Sequence, residues 1–139
     1  IPVGTQIKVS SGWDFKVNSS VENANEQLAQ ANEFNTPEDG KQFVLVNVTM
    51  INKSGKPDAP LTNLKMSLLP SSGVAIDSSW STAGLADACD TTTQLQPDAE
   101  YTCNAVFEAK PDEIGDSLLL VEPQFTLDEN GAQRFFALK

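Results

Sequence analysis

Gln42–Pro57 reads QFVLVNVTMINKSGKP, and a second run of the same kind, EYTCNAVFEAKP, occupies Glu100–Pro111. Each has the composition of a long β-strand that ends in turn-forming residues. In the first, Val44, Val46, Val48 and Met50 share one face, while the other face passes from Phe43 and Leu45 to the polar Asn47 and Thr49. That alternation describes a strand buried on both faces at its start and half-wet at its end. In the second, Tyr101, Cys103, Ala105 and Phe107 alternate with Glu100, Thr102, Asn104 and Glu108, which predicts one solvated face.

The same period of two recurs outward from these runs. Ile7 and Val9, then Trp13, Phe15 and Val17, form inward faces separated by a break at Ser11-Gly12, giving two strands or one bent at Gly12. Leu64, Met66 and Leu68 do the same in NLKMSLLP, and VAIDSSW, which carries Val74, Ile76 and Trp80, reads as a further strand. Turns follow from KSGKPDAP, from Ser71-Ser72-Gly73 and from Pro111–Gly115, and Asp128-Glu129-Asn130-Gly131 predicts a tight hairpin into AQRFFALK. Between Ser19 and Gly40 the chain is rich in Asn, Glu, Gln and Ala and offers little for a core. Ala24, Leu28 and Ala31 have helical spacing behind a Ser20 cap, so at most a short helix is expected there. About seven to nine short strands without alternating helices predict an all-β antiparallel sandwich, with 1–139 as a single domain.

With 19 acidic and 9 basic residues and no histidine, the net charge is −10. Such a balance repels phosphate backbones and anionic lipid surfaces, so nucleic acid is not an expected partner. The apolar runs Phe43–Val46 and Leu118–Val121 fall far short of the ~20 residues of a membrane span. The chain starts at Ile1 rather than methionine, and the expectation is that any signal peptide or lipid-anchoring cysteine has been removed or left out. Cys89 and Cys103 lack the neighbours of a zinc site, and an even pair in an acidic β-rich domain favours a disulfide and an oxidising compartment, against two buried free thiols.

The absence of histidine removes Ser-His-Asp and Cys-His catalysis, and no nucleophile elbow, phosphate-binding loop or dinucleotide fingerprint occurs. No cofactor or metal is expected. Met50 and Met66 hold inward strand positions and read as core. Carboxylates remain: Asp87, Asp90, Asp98 and Glu100 surround the cysteine-closed loop, and Asp112, Glu113 and Asp116 the next turn. Paired carboxylates run glycoside hydrolysis when folding brings them together, and loop acids hold calcium, but the usual spacing of a calcium loop is missing at Asp128–Gly131. Solvated charge is the plainer account. Trp13 shares its parity with Phe15 and Val17 and reads as core. Trp80 follows polar Ser78 and Ser79 near a strand end, and is balanced between core and an exposed platform for a sugar or protein.

The order of features resembles a bacterial family. The Gly12-Trp13 strand, the polar crossover, FVLVNVTMINKSGKP, the turn Leu95-Gln96-Pro97, the strand ending VFEAKP and the closing leucine-rich hairpin are similar to telokin-like immunoglobulin-fold domains of secreted proteins and lipoproteins in Gram-positive bacteria. That group includes the mycobacterial immunoprotective extracellular protein. The resemblance runs from about Gly12 to Phe136. It implies a two-sheet immunoglobulin-like sandwich, exported and held at or released from the envelope, with no catalytic residues to transfer. The leading expectation is a non-enzymatic extracellular interaction or adhesion module that meets a protein or cell-envelope partner through Trp80, Asp87, Asp90 and Asp98. The alternatives are a carboxylate-based hydrolase or small-ligand or calcium-binding domain, and a passive spacer.

Overall fold

The structure is a computed structural model whose described residues are 1–80, 82–124 and 133–139. In chain order its elements are β1 (Ile7–Ser10), β2 (Trp13–Val21), α1 (Asn25–Ala31), β3 (Gln42–Asn52), α2 (Pro60–Asn63), β4 (Leu64–Leu69), β5 (Ile76–Asp77), β6 (Glu100–Ala109), α3 (Pro111–Ile114), β7 (Leu118–Pro123) and β8 (Arg134–Phe136). The strands form two antiparallel four-stranded sheets, in the orders β1-β2-β3-β6 and β5-β4-β7-β8. This is the all-β sandwich that the alternation predicts. The predicted hairpin at Asp128–Gly131 lies outside the described residues.

The core lies between the sheets because each strand presents its apolar parity inward. Val46, Val48 and Met50 of β3 and Phe107 of β6 face Leu68, Leu119 and Phe136 of the second sheet. Phe15 and Phe136 cross between the sheets with ring centroids 5.1 Å apart, a tilted contact that suits the aromatic quadrupoles. Trp13 is fully packed in this core. β1 and β2 are separate strands, and Gly12 makes the break: its φ is +99°, and a Cβ there would lie 2.9 Å from Ser54 Cβ.

The stretch 19–40 contributes more core than its composition suggests. β2 runs on to Val21, and Ser20 is not a helix cap; its hydroxyl donates to the Leu138 carbonyl at 2.6 Å. The helix begins after Ala24, which has no side-chain cap. Ala24 and Leu28 seal Phe43, Leu45 and Val106 into a second small cluster on the outer face of the first sheet. The double burial at the start of β3 is thereby explained, and the outer face of β6 is dry at Val106 rather than solvated throughout.

Two segments differ in detail from their strand and turn readings. Only Ile76 of VAIDSSW packs against the core; β5 is two residues long, and Val74 and Trp80 are exposed. The KSGKP turn does more than punctuate. Buried Asn52 donates to the carbonyls of Lys56 and Leu95 and accepts from the backbone and hydroxyl of Ser54. One amide thus satisfies the turn and ties it to the end of the cysteine loop.

Candidate functional site at the strand switch

The site arises from the shortness of β5. It pairs with β4 only at Ser67↔Asp77 and Leu68↔Ile76, although β4 begins at Leu64. After Asp77 the chain leaves the second sheet, and the Ser79 amide donates to the Val106 carbonyl of the first at 2.7 Å. Polar Ser78 and Ser79 have no apolar parity to keep them on β4, which is a physical reason for the departure. Among the described residues, no strand replaces β5 beside Leu64–Met66.

A groove of about 340 Å³ opens at this divergence. Its buried base is Leu61, Leu64 and Met66. Trp80, 53% exposed, lines one side. Lys65, Asp77, Ser78, Thr91 and Gln124 supply polar groups. Lys65 Nζ lies 3.5 Å from Asp77 Oδ1, an exposed ion pair worth at most about 1 kcal/mol. Trp80 also lines a smaller cleft of about 50 Å³ with Ser79, Cys89 and Asn104. The indole therefore stands between two depressions.

The cysteine loop holds its place along the free side of β6. Cys89 and Cys103 are disulfide-bonded. The Asn104 amide donates to the Asp87 carbonyl, and the Cys89 amide to the Asn104 carbonyl. This covers a sheet edge that would otherwise present unpaired backbone groups. The two long connections meet here as well. The Asn35 side chain bonds Leu28 and both backbone groups of Ala83, and Gly84, at φ +72°, passes so close to α1 that a Cβ would lie 2.7 Å from the Ala31 carbonyl.

The structure keeps Asp87 and Asp90 in the cysteine loop, whose Cys89 lines the smaller cleft with Trp80, and sets Asp98 apart. Asp98 lies beside Asn52 and forms an exposed pair with Lys53 at 3.3 Å. Asp87 and Asp98 both take left-handed backbone conformations, φ 55° and 67°, which aspartate tolerates better than most residues. Asp90 accepts from the backbone N–H and hydroxyl of Thr92, and these two bonds hold its carboxyl below the usual carboxylate range. Local turn geometry accounts for all three acids. A hydrolytic general acid needs a carboxyl pushed upward, and Asp90 moves the other way. Among the described residues, no three acids or cysteines form a group that could hold a metal.

The sequence marks only part of the groove. Leu64 and Met66 were visible as inward β4 positions, but nothing marked Lys65, Asp77 and Gln124 as neighbours of Trp80. The one available signal was the polar pair Ser78-Ser79, which cuts β5 short.

A polar ladder crosses the outer face of the first sheet nearby. Asn18 donates to Asn47 Oδ1 and Thr49 Oγ1, Asn47 donates to Asn104 Oδ1, and the hydroxyls of Thr49 and Thr102 lie 2.7 Å apart. Asn104 in turn donates to the Ala86 carbonyl at 3.2 Å. These amides are occupied with one another, so the ladder fastens the cysteine loop to the sheet.

The two antiparallel sheets define the chain as a β-sandwich domain. The chain belongs to the DUF4352 family, a domain of unknown function, whose model matches residues 3–130. No curated protein matches it. Among solved structures it is similar to the yjhA protein of Bacillus subtilis, at 10% identity and TM-score 0.66, over 99% of both chains. It is similar to the secreted protein MPT63 of Mycobacterium tuberculosis, at 12% identity and TM-score 0.58, over 91% of both. A third likeness is to a protein of Bacillus subtilis provisionally assigned as a lipoprotein, at 13% identity and TM-score 0.62, over 95% of this chain and 37% of that one. Likenesses this remote establish the fold alone.

Proposed function

We propose that this is a non-enzymatic, single-domain binding module of the exported, cell-envelope kind, and that it meets its partner at the Trp80 face. The observation that carries this reading is Trp80 itself. A large aromatic side chain stands half in solvent beside a groove, on a segment anchored to one sheet by the Ser79–Val106 bond and flanked by a disulfide-closed loop. Tryptophan is among the residue types enriched where binding energy concentrates.

Export is supported by the disulfide, which persists in oxidising compartments, and by the secreted and lipoprotein-type neighbours. Among the described residues, no helix is long and apolar enough to cross a membrane. The acids offer no support for a hydrolase, because Asp87, Asp90 and Asp98 are engaged in separate turns.

Co-sedimentation of the purified domain with isolated Bacillus subtilis cell walls tests the proposal. The wild type is expected to pellet with the walls and Trp80→Ala to remain largely in the supernatant. Absence of pelleting, or equal pelleting of the variant, contradicts it; absence is the outcome expected of a passive spacer.

A further inference from the structure

Resting on that reading, we propose that the groove beside Trp80 is a binding site for a neutral saccharide ring. The chemistry of its lining points to this class of ligand. The face of an indole carries a negative quadrupole. One face of a pyranose carries a row of weakly positive C–H groups, so ring and indole stack with both hydrophobic and electrostatic gain. Around its edge the same sugar presents hydroxyls that each donate and accept. The groove supplies the complement beside Trp80: an ammonium at Lys65, a carboxylate at Asp77, an amide at Gln124, and hydroxyls at Ser78 and Thr91. Its volume of about 340 Å³ lies at the small end of ligand sites and suits a ring or two.

Other occupants fit less well. An anionic ligand would meet a chain of net charge −10 and a groove whose lysine is already paired with Asp77. A cationic ligand would compete with Lys65 for that same carboxylate. An extended peptide would add along β4 where β5 ends, and among the described residues only the three residues Leu64–Met66 are unpaired on that side. Strand addition draws its affinity from a run of main-chain hydrogen bonds, and three residues offer few. A neutral polyol needs no exposed edge and no net charge.

The two tryptophans make the test direct. Trp13 is buried at 2% exposure and gives a constant emission background, whereas Trp80 reports on the groove. The domain is titrated with chitotetraose, cellotetraose and maltotetraose while tryptophan emission is followed. At least one sugar is expected to give a saturable blue shift. Trp80→Ala, which changes an exposed side chain and should melt like the wild type, is expected to abolish it. Gln124→Ala should weaken binding about fivefold, the scale of one hydrogen bond. No saturable change with any of the three sugars at millimolar concentration overturns the proposal, as does a response that survives in Trp80→Ala.

Wall binding separates this failure from failure of the broader reading. Pelleting with trypsin-treated walls is expected to persist. Trp80-dependent pelleting lost after trypsin would identify a protein partner, overturning the saccharide while leaving the binding module intact.

Discussion

Buried Val48 and close-packed Gly84 show how much single positions carry. Val48 sits fully buried at the centre of β3, paired with Cys103. Val48→Asp would bury an unpaired carboxylate, with an expected cost of several kcal/mol, on the order of 3–5; thermal melting checks it, and an unchanged Tm would mean the inward face is misassigned. That face was legible in the sequence, because alternation reports burial directly. Gly84 was not, since nothing local announces that a loop will pass against α1. Gly84→Ala combines a positive φ with a 2.7 Å clash against a backbone carbonyl and is expected to cost about 1–3 kcal/mol by denaturant unfolding. Asp90 gives a titration test. The backbone amide of Thr92 and then its hydroxyl lower the Asp90 pKa, so the loop contribution is present above the ordinary carboxylate pKa and lost as pH falls through the depressed one. Removing the hydroxyl in Thr92→Val should raise the Asp90 pKa part of the way back, as measured by NMR titration; an unchanged value would contradict the bond.

At the scale of elements, the long strands were readable and the connections were not. β3 and β6 announce themselves by period, whereas the start of α1, the length of β5 and the course of the cysteine loop depend on partners remote in sequence. Asn35 bonds Ala83 across 48 positions, and Asn52 bonds Leu95 across 43; no local pattern encodes either. The disulfide was legible as a pair of cysteines, but its purpose becomes visible only with the loop laid along β6. With the cysteines separated by 14 in sequence, chain-entropy models assign the bridge about 3 kcal/mol. The Cys89→Ala/Cys103→Ala variant is expected to unfold with a stability loss of about 2–4 kcal/mol. Hydrogen exchange should rise first at the Cys89 amide and at the amide of Asn104, which donates to Asp87. Unchanged protection at these amides would show that the ladder of Asn18, Asn47 and Asn104 suffices to hold the loop.

For the whole molecule, charge and architecture act together. The four ion pairs among the described residues have largely solvent-accessible partners, so each contributes little, while a net charge of −10 repels itself across the surface. Screening should therefore stabilise: Tm is expected to rise as NaCl goes from low to physiological ionic strength, and a fall would mean that attractive pairs outweigh the repulsion. The sandwich converts one local irregularity, the early end of β5, into a groove walled by tryptophan, and that groove is the proposed contact surface. Its most direct test is a ¹H–¹⁵N spectrum of the domain with soluble fragments of muramidase-digested Bacillus subtilis walls. The indole N–H of Trp80 and the amides of Lys65 and Thr91 should shift together while the indole N–H of buried Trp13 stays in place. Shifts confined to another face, or none at all, would contradict it.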